Sequence, residues 1–201
     1  MNVYVESNFV LELAFLREEH LSCSRLLTKA ESGEINLIIP AFSIGEPYEA
    51  LVRRSRRRSE LRDRLVTELR ELSRSEPYET VVREASSITE LLVKSGEDEK
   101  NRLDSVIGQI LDAARVIPIQ AETIRSAIQI QETLSLAPQD SIIYASVRWH
   151  LTSSPSDLSC FLNRNSRDFL TPDIQAELGR HNCVLIPSFE DGVRFMESKL
   201  P

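Results

Sequence analysis

Four carboxylates follow stretches of strand-like sequence. Glu6 comes directly after VYV (3–5). Glu46 lies in the helical segment after INLIIP (35–40). Asp140 opens the helix in APQDSIIYA, and Asp168 follows LSCFLN (158–163) in NRNSRDF. In an open α/β sheet, ligands bind beyond the carboxyl ends of the strands, so these acids collect on one edge of the predicted sheet. Carboxylates brought together repel one another and raise each other's pKa, and a divalent cation relieves that repulsion. Mg²⁺ takes a few carboxylate oxygens and keeps several waters, with no need of histidine or cysteine. Such a site lowers the pKa of a water and stabilises in-line displacement at phosphorus. The chain has no Gly-rich phosphate loop, GxSxG elbow or HExxH motif, and His20, His150 and His181 have no metal-ligand spacing. Acids without a histidine base point to metal-assisted phosphodiester hydrolysis.

The elements that must position these acids alternate. Strands are predicted at 3–5, 35–40, 115–120, 158–163 and 183–187. A helical pattern runs from Phe9 to Ala30 and stops at Gly33. Another runs from Ala41 to about residue 74, with Leu61, Leu65, Leu69 and Leu72 at helical spacing. Pro77 starts a third, SGEDEK (95–100) is a polar break, and Leu103 to Ala114 complete a further helix. Helices follow at 121–134, from Pro138 to about Leu151, and at 171–180, where Thr171 is the predicted N-cap and Pro172 takes the first position. Strands alternating with helices predict an α/β fold with a mostly parallel central sheet covered on both faces. The chain, 1–201, is expected to be one domain, enlarged by a helical insertion at about 55–114.

The chain's 201 residues, 41 % of them hydrophobic, suffice for one substantial core. No apolar run approaches the roughly 20 residues of a membrane span, and the N-terminus lacks a signal-peptide pattern. Cys23, Cys160 and Cys183 are too scattered for a disulfide framework and read as reduced core thiols. A cytoplasmic location, with no membrane partner, is the expectation. The net charge of −7 conceals a local reversal, because residues 53–74 carry nine arginines and four acids. Within it Arg56, Arg57 and Arg58 suit phosphate contacts; a solvated face or a docking face for an acidic partner are the other readings of the same run. The apolar faces in 61–114 fit interhelical core or the surface of a homodimer.

In this order the motifs resemble the PIN-domain family of metal-dependent nucleases over residues 1–54 and roughly 115–190. That family opens with a strand running into Asp-Thr-Asn; here the run is Glu6-Ser7-Asn8. Its second acid is a Glu on the helix after strand two, a place taken by Glu46, with Glu49 as a second candidate. Its third opens Asp-x-x-I-x-A-x-A, matched by Asp140 in DSIIYASV. Its fourth region, Thr-Arg-Asn-x-x-Asp-Phe, reads here from Asn163 to Phe169 and contains Asn165 and Asp168. The resemblance implies a PIN-like three-layer fold and hydrolysis of RNA with Mg²⁺ or Mn²⁺, leaving a 5′-phosphate and a 3′-hydroxyl. Glu6, Glu46, Asp140 and Asp168 would hold metal directly or through water. Ser7, Asn8, Asn163 and Asn165 fall at substrate-side positions. Some members are toxins of toxin–antitoxin pairs, which implies an antitoxin as a protein partner. The chain departs from the pattern at Glu6, one methylene longer than Asp, at Asn163 in place of Thr, and at Asn165 where many members carry Asp. These departures favour the rival expectation, a catalytically silent PIN-like module that binds RNA or protein.

Overall fold

The computed structural model describes residues 1–199. Five strands form one parallel sheet: β1 (Asn2–Val5), β2 (Asn36–Pro40), β3 (Arg115–Ile117), β4 (Ser159–Leu162) and β5 (Cys183–Ile186), in the order β3-β2-β1-β4-β5. Successive side chains point to opposite faces, and both faces are apolar. Val3, Val5, Leu37, Ile39, Cys160 and Leu162 pack against α1 (Ser7–Phe15), α2 (His20–Glu31), the C-terminal half of α4 (Glu79–Ala113) and α9 (Phe189–Glu197). Tyr4, Ile38, Ile117 and Phe161 pack against α5 (Ala121–Leu134), α6 (Pro138–Ser153) and α8 (Pro172–Gly179). The result is the three-layer α/β arrangement expected, a parallel sheet covered by helices on both faces. Among the described residues no helix is long and apolar enough to cross a membrane.

β1 is the central strand. The chain steps from it to β2 and β3 on one side, then returns to β4 and β5 on the other. The strand order therefore reverses between β1 and β4, and the crevice beyond their carboxyl ends is where an open α/β sheet binds ligands.

The elements depart from expectation in five places, the first of them α9, a helix where none is predicted after the last strand. The single pattern from Phe9 to Ala30 is two helices, because Leu16 adopts a left-handed conformation (φ 49°) and its N–H closes on the Glu12 carbonyl. SGEDEK does not interrupt α4. Glu99 is buried in this stretch and receives hydrogen bonds from Arg54 and Arg58 of α3 (Ala41–Leu72), at 2.7–3.3 Å, so the helix continues through it. The third strand ends at Ile117, before Pro118, which has no N–H for the ladder. The polar RNSRD run contains a short helix, α7 (Ser166–Phe169), which begins after Asn165 and is seated by the buried Phe169.

The stretch 55–114 itself divides. Between Leu51 and Glu99 no residue is buried, so α3 and the first half of α4 project as a hairpin. Leu103, Ile107 and Ile110, further along α4, lie in the same core as Val3 and Phe9. Arg102 also donates to the Ala14 carbonyl (3.0 Å), satisfying an acceptor that the end of α1 leaves open. Equilibrium urea unfolding checks this division. Leu103→Ala is expected to cost about 2–4 kcal/mol through the cavity it leaves, and Leu61→Ala, on the exposed hairpin, within about 0.5 kcal/mol. Equal losses would contradict the division.

Candidate functional site

A cleft of about 680 Å³ opens beyond β1 and β4, lined by Glu6, Ser7, Asn8, Glu46, Asp140 and Asn165 among others. Four separate segments bring them there. Glu6 leaves the end of β1 and becomes the N-cap of α1, accepting from the Asn8 N–H at 2.9 Å through Oε2. Glutamate is not among the usual N-caps. One of its oxygens is spent on the helix, and the other, Oε1, is buried with no hydrogen-bond partner. Burial pushes the Glu6 carboxyl up to about 7; the hydrogen bonds from Asn8 oppose that, and the charges of Glu46 and Asp140 add to it.

Glu46 stands in the second turn of α3, where it accepts a hydrogen bond from the Ser7 hydroxyl. Asp140 lies in the first turn of α6, behind Pro138 at the helix start. Its Oδ2 accepts from Asn165 Nδ2 at 3.1 Å. Burial raises its pKa to about 6, and the negative charges of Asp168 and Glu46 contribute. All donors here are oxygens, a set that suits Mg²⁺ or Mn²⁺. Among the described residues, however, no three His, Cys, Asp or Glu side chains stand close enough to hold one ion together.

The other anticipated residues are placed differently. Asp168, on α7, does not line the cleft and reaches it only through its charge on Asp140. Asn163 is buried, and its Oδ1 accepts from the Asn165 N–H at 2.7 Å; it shapes the loop that presents Asn165. Arg56 pairs with Glu60 of its own helix (3.0 Å), and Arg58 is held on Glu99 (2.7 Å). Both line an apolar groove between α3 and α4, away from the acids. Arg57 is exposed and makes no ion pair among the described residues.

Sequence reasoning missed the cations that do line the cleft, Arg17, Arg53 and Arg164. Arg164 pairs with Glu12, whose side chain is 1 % exposed, and with Glu18 and Glu19 (3.3 and 3.5 Å). Glu12 also receives the Glu19 N–H (2.7 Å), and Glu19 receives the Phe189 N–H (3.1 Å). This network ties the loop after β4 to the corner between α1 and α2. Glu12 within the apolar run VLELAF was the available signal, since a charge so placed must find a partner.

No family model matches the chain, and no curated protein matches it. Among solved structures it is similar to VapBC2 from Rickettsia felis, solved bound to a DNA fragment from their promoter. The match has 11 % identity and a TM-score of 0.44, and covers 92 % of this chain and 98 % of that one. The superposition is loose at that score, and the reading of the cleft rests on this chain's own residues.

Two outcomes follow from this electrostatics. Glu6 and Asp140 titrate higher in the folded protein than when unfolded, so the native state holds their protons longer. Stability attributable to them is present below about pH 4, and is lost as pH rises toward 6–7. In EDTA at pH 8, Glu6→Gln is therefore expected to stabilise the protein by on the order of 2 kcal/mol. Thermal melts from pH 5 to 8 check this; a wild-type Tm that climbs with pH to the same extent as the variant's would contradict it. Secondly, Arg164→Ala strands the buried Glu12 charge and is expected to cost about 3 kcal/mol. Adding Glu12→Gln should recover part of that loss in chemical denaturation.

Proposed function

We propose that the chain is a metal-dependent endoribonuclease that cleaves at this cleft. The observation that carries the reading is Glu6: a carboxyl at the end of the central strand, buried, with one oxygen unpartnered and two further acids acting on it. A buried acceptor left without a donor is costly, and a cation is the partner that also relieves the neighbouring charges.

Glu6 and Asp140 would hold Mg²⁺ or Mn²⁺ directly, and Glu46 through water. When bound, the ion supplies charge neutralisation and an activated water for in-line displacement at phosphorus. The chain's own groups orient that chemistry. The Asn8 N–H fixes Glu6 through Oε2 and leaves Oε1 available. Ser7 holds Glu46, and Asn165 holds Asp140. Asp168 acts through its charge on Asp140. Arg17 and Arg53, on the cleft wall, offset the charge of an entering phosphodiester. The resemblance of the motifs to PIN-domain toxins extends the proposal to a role as the toxin of a toxin–antitoxin pair in the cytoplasm, with a protein antitoxin as partner.

A second reading, a silent module that binds RNA or protein, is favoured by one observation: Asn165 places an amide on Asp140 where many family members carry another acid. The two separate in an assay of single-stranded and structured RNA with Mn²⁺ or Mg²⁺, beside an EDTA control. The nuclease reading expects metal-dependent cleavage that falls at least about 100-fold in Asp140→Asn and about 10-fold in Asp168→Asn. Cleavage that survives EDTA, or is equal in Asp140→Asn, would sink it. Retained RNA binding with no cleavage of any substrate would support the silent module.

A further inference from the structure

Residues 53–74 hold nine arginines, and their ion pairs divide them. Arg54 and Arg58 are held by Glu99, Arg56 by Glu60, Arg62 by Asp63 and Arg74 by Glu71. Among the described residues Arg53, Arg57, Arg64 and Arg70 make no ion pair, and all four are exposed. Three of these four share a phase of α3. Counted from Glu46, Arg53, Arg57 and Arg64 fall at i+7, i+11 and i+18, within about 20° of the azimuth of Glu46 on an ideal helix. Arg70 lies about a third of a turn away. Arg53 itself lines the cleft, so the row begins inside the site.

We propose that Arg53, Arg57 and Arg64 form a phosphate track that carries the backbone of a single RNA strand away from the carboxylate cleft along one face of α3. The substrate class rests on the nuclease reading; the geometry of the row does not. An exposed guanidinium with no carboxylate on the same chain keeps its donor fork available for phosphate. From Glu46 the row extends about 27 Å at 1.5 Å per residue, a reach of several nucleotides. It is a single file, since the arginines on the flanks are each held in an ion pair, and one file fits one strand. Glu60, on the edge of the same face, is neutralised by Arg56. Glu68 and Glu71 follow on that face beyond Arg64 and close the track toward the hairpin tip.

The test compares two variants of equal charge change in the full chain: Arg53→Gln/Arg57→Gln/Arg64→Gln on the track, and Arg56→Gln/Arg62→Gln/Arg70→Gln off it. Binding of a fluorescein-labelled oligouridylate is measured in EDTA across a salt series, so that no strand is cut. Each lost phosphate contact flattens the log–log salt slope by about 0.7 on a single strand, so the track variant is expected to lose about 2 from the slope and the off-track variant to match wild type. Equal losses in both variants would reduce the row to diffuse charge, and no binding by wild type would overturn the track. Equally tight, equally track-dependent binding of duplex RNA would overturn the single-strand assignment. With Mn²⁺ added, Arg57→Gln/Arg64→Gln, which leaves the cleft-lining Arg53 in place, should lose kcat/KM on a long strand and keep it on a dinucleotide; a parallel loss on both also overturns the proposal. If the binding pattern holds while wild type cuts nothing, the track stands and the nuclease reading falls.

Discussion

The arrangement of the cleft depends on one carboxyl group buried at the end of the central strand. Glu6 starts α1 with one oxygen and leaves the other unsatisfied, a cost that the surrounding fold must bear. The bearing is done by packing: β1 is buried along its length, and Phe9 and Val10 on the following turn are fully covered. A less completely buried β1 would let water reach Glu6 and relieve that cost. The other two acids arrive from α3 and α6 on opposite sides of the sheet, each restrained by a polar neighbour, Ser7 or Asn165.

The fold was largely legible because parallel strands buried on both faces read as continuous apolar runs. NLIIP and SCFL are such runs, and each is a strand within a residue or so of its expected bounds. Three of the four carboxylates, Glu6, Glu46 and Asp140, line the cleft, and their places after a strand or near a helix start made that readable once the sheet order was known; Asp168 stays outside it. The clamp on the loop after β4 was not. Glu12 and Arg164 are 152 positions apart, and neither residue alone announces the other. The polar stretch around Glu99 misled for the same reason, since its burial depends on two arginines more than forty positions earlier.

The arginine run gives the sharper lesson. Composition alone singled out Arg56, Arg57 and Arg58, the densest cluster. The partners decide otherwise: two of the three are occupied by glutamates, and one of those glutamates lies on another helix. A charge is available to a ligand only when nothing nearer has taken it, and that is a property of the tertiary structure.

The hairpin has a mechanical consequence. α3 is a single helix from Ala41 to Leu72, and Glu46 sits near its base; beyond Leu51 none of its residues is buried, and Arg54 lies over the Phe15 ring of α1 (4.6 Å). The helix is therefore a lever with its fulcrum at the sheet and its long arm in solvent. The arm from Glu46 to Leu72 is about 39 Å, so a tilt of about 5° at the base sweeps the tip through roughly 3 Å. Leverage also works inward: a force on the tip is multiplied into torque where α3 meets the cleft, and one carboxylate of the site rides on the short end of that arm.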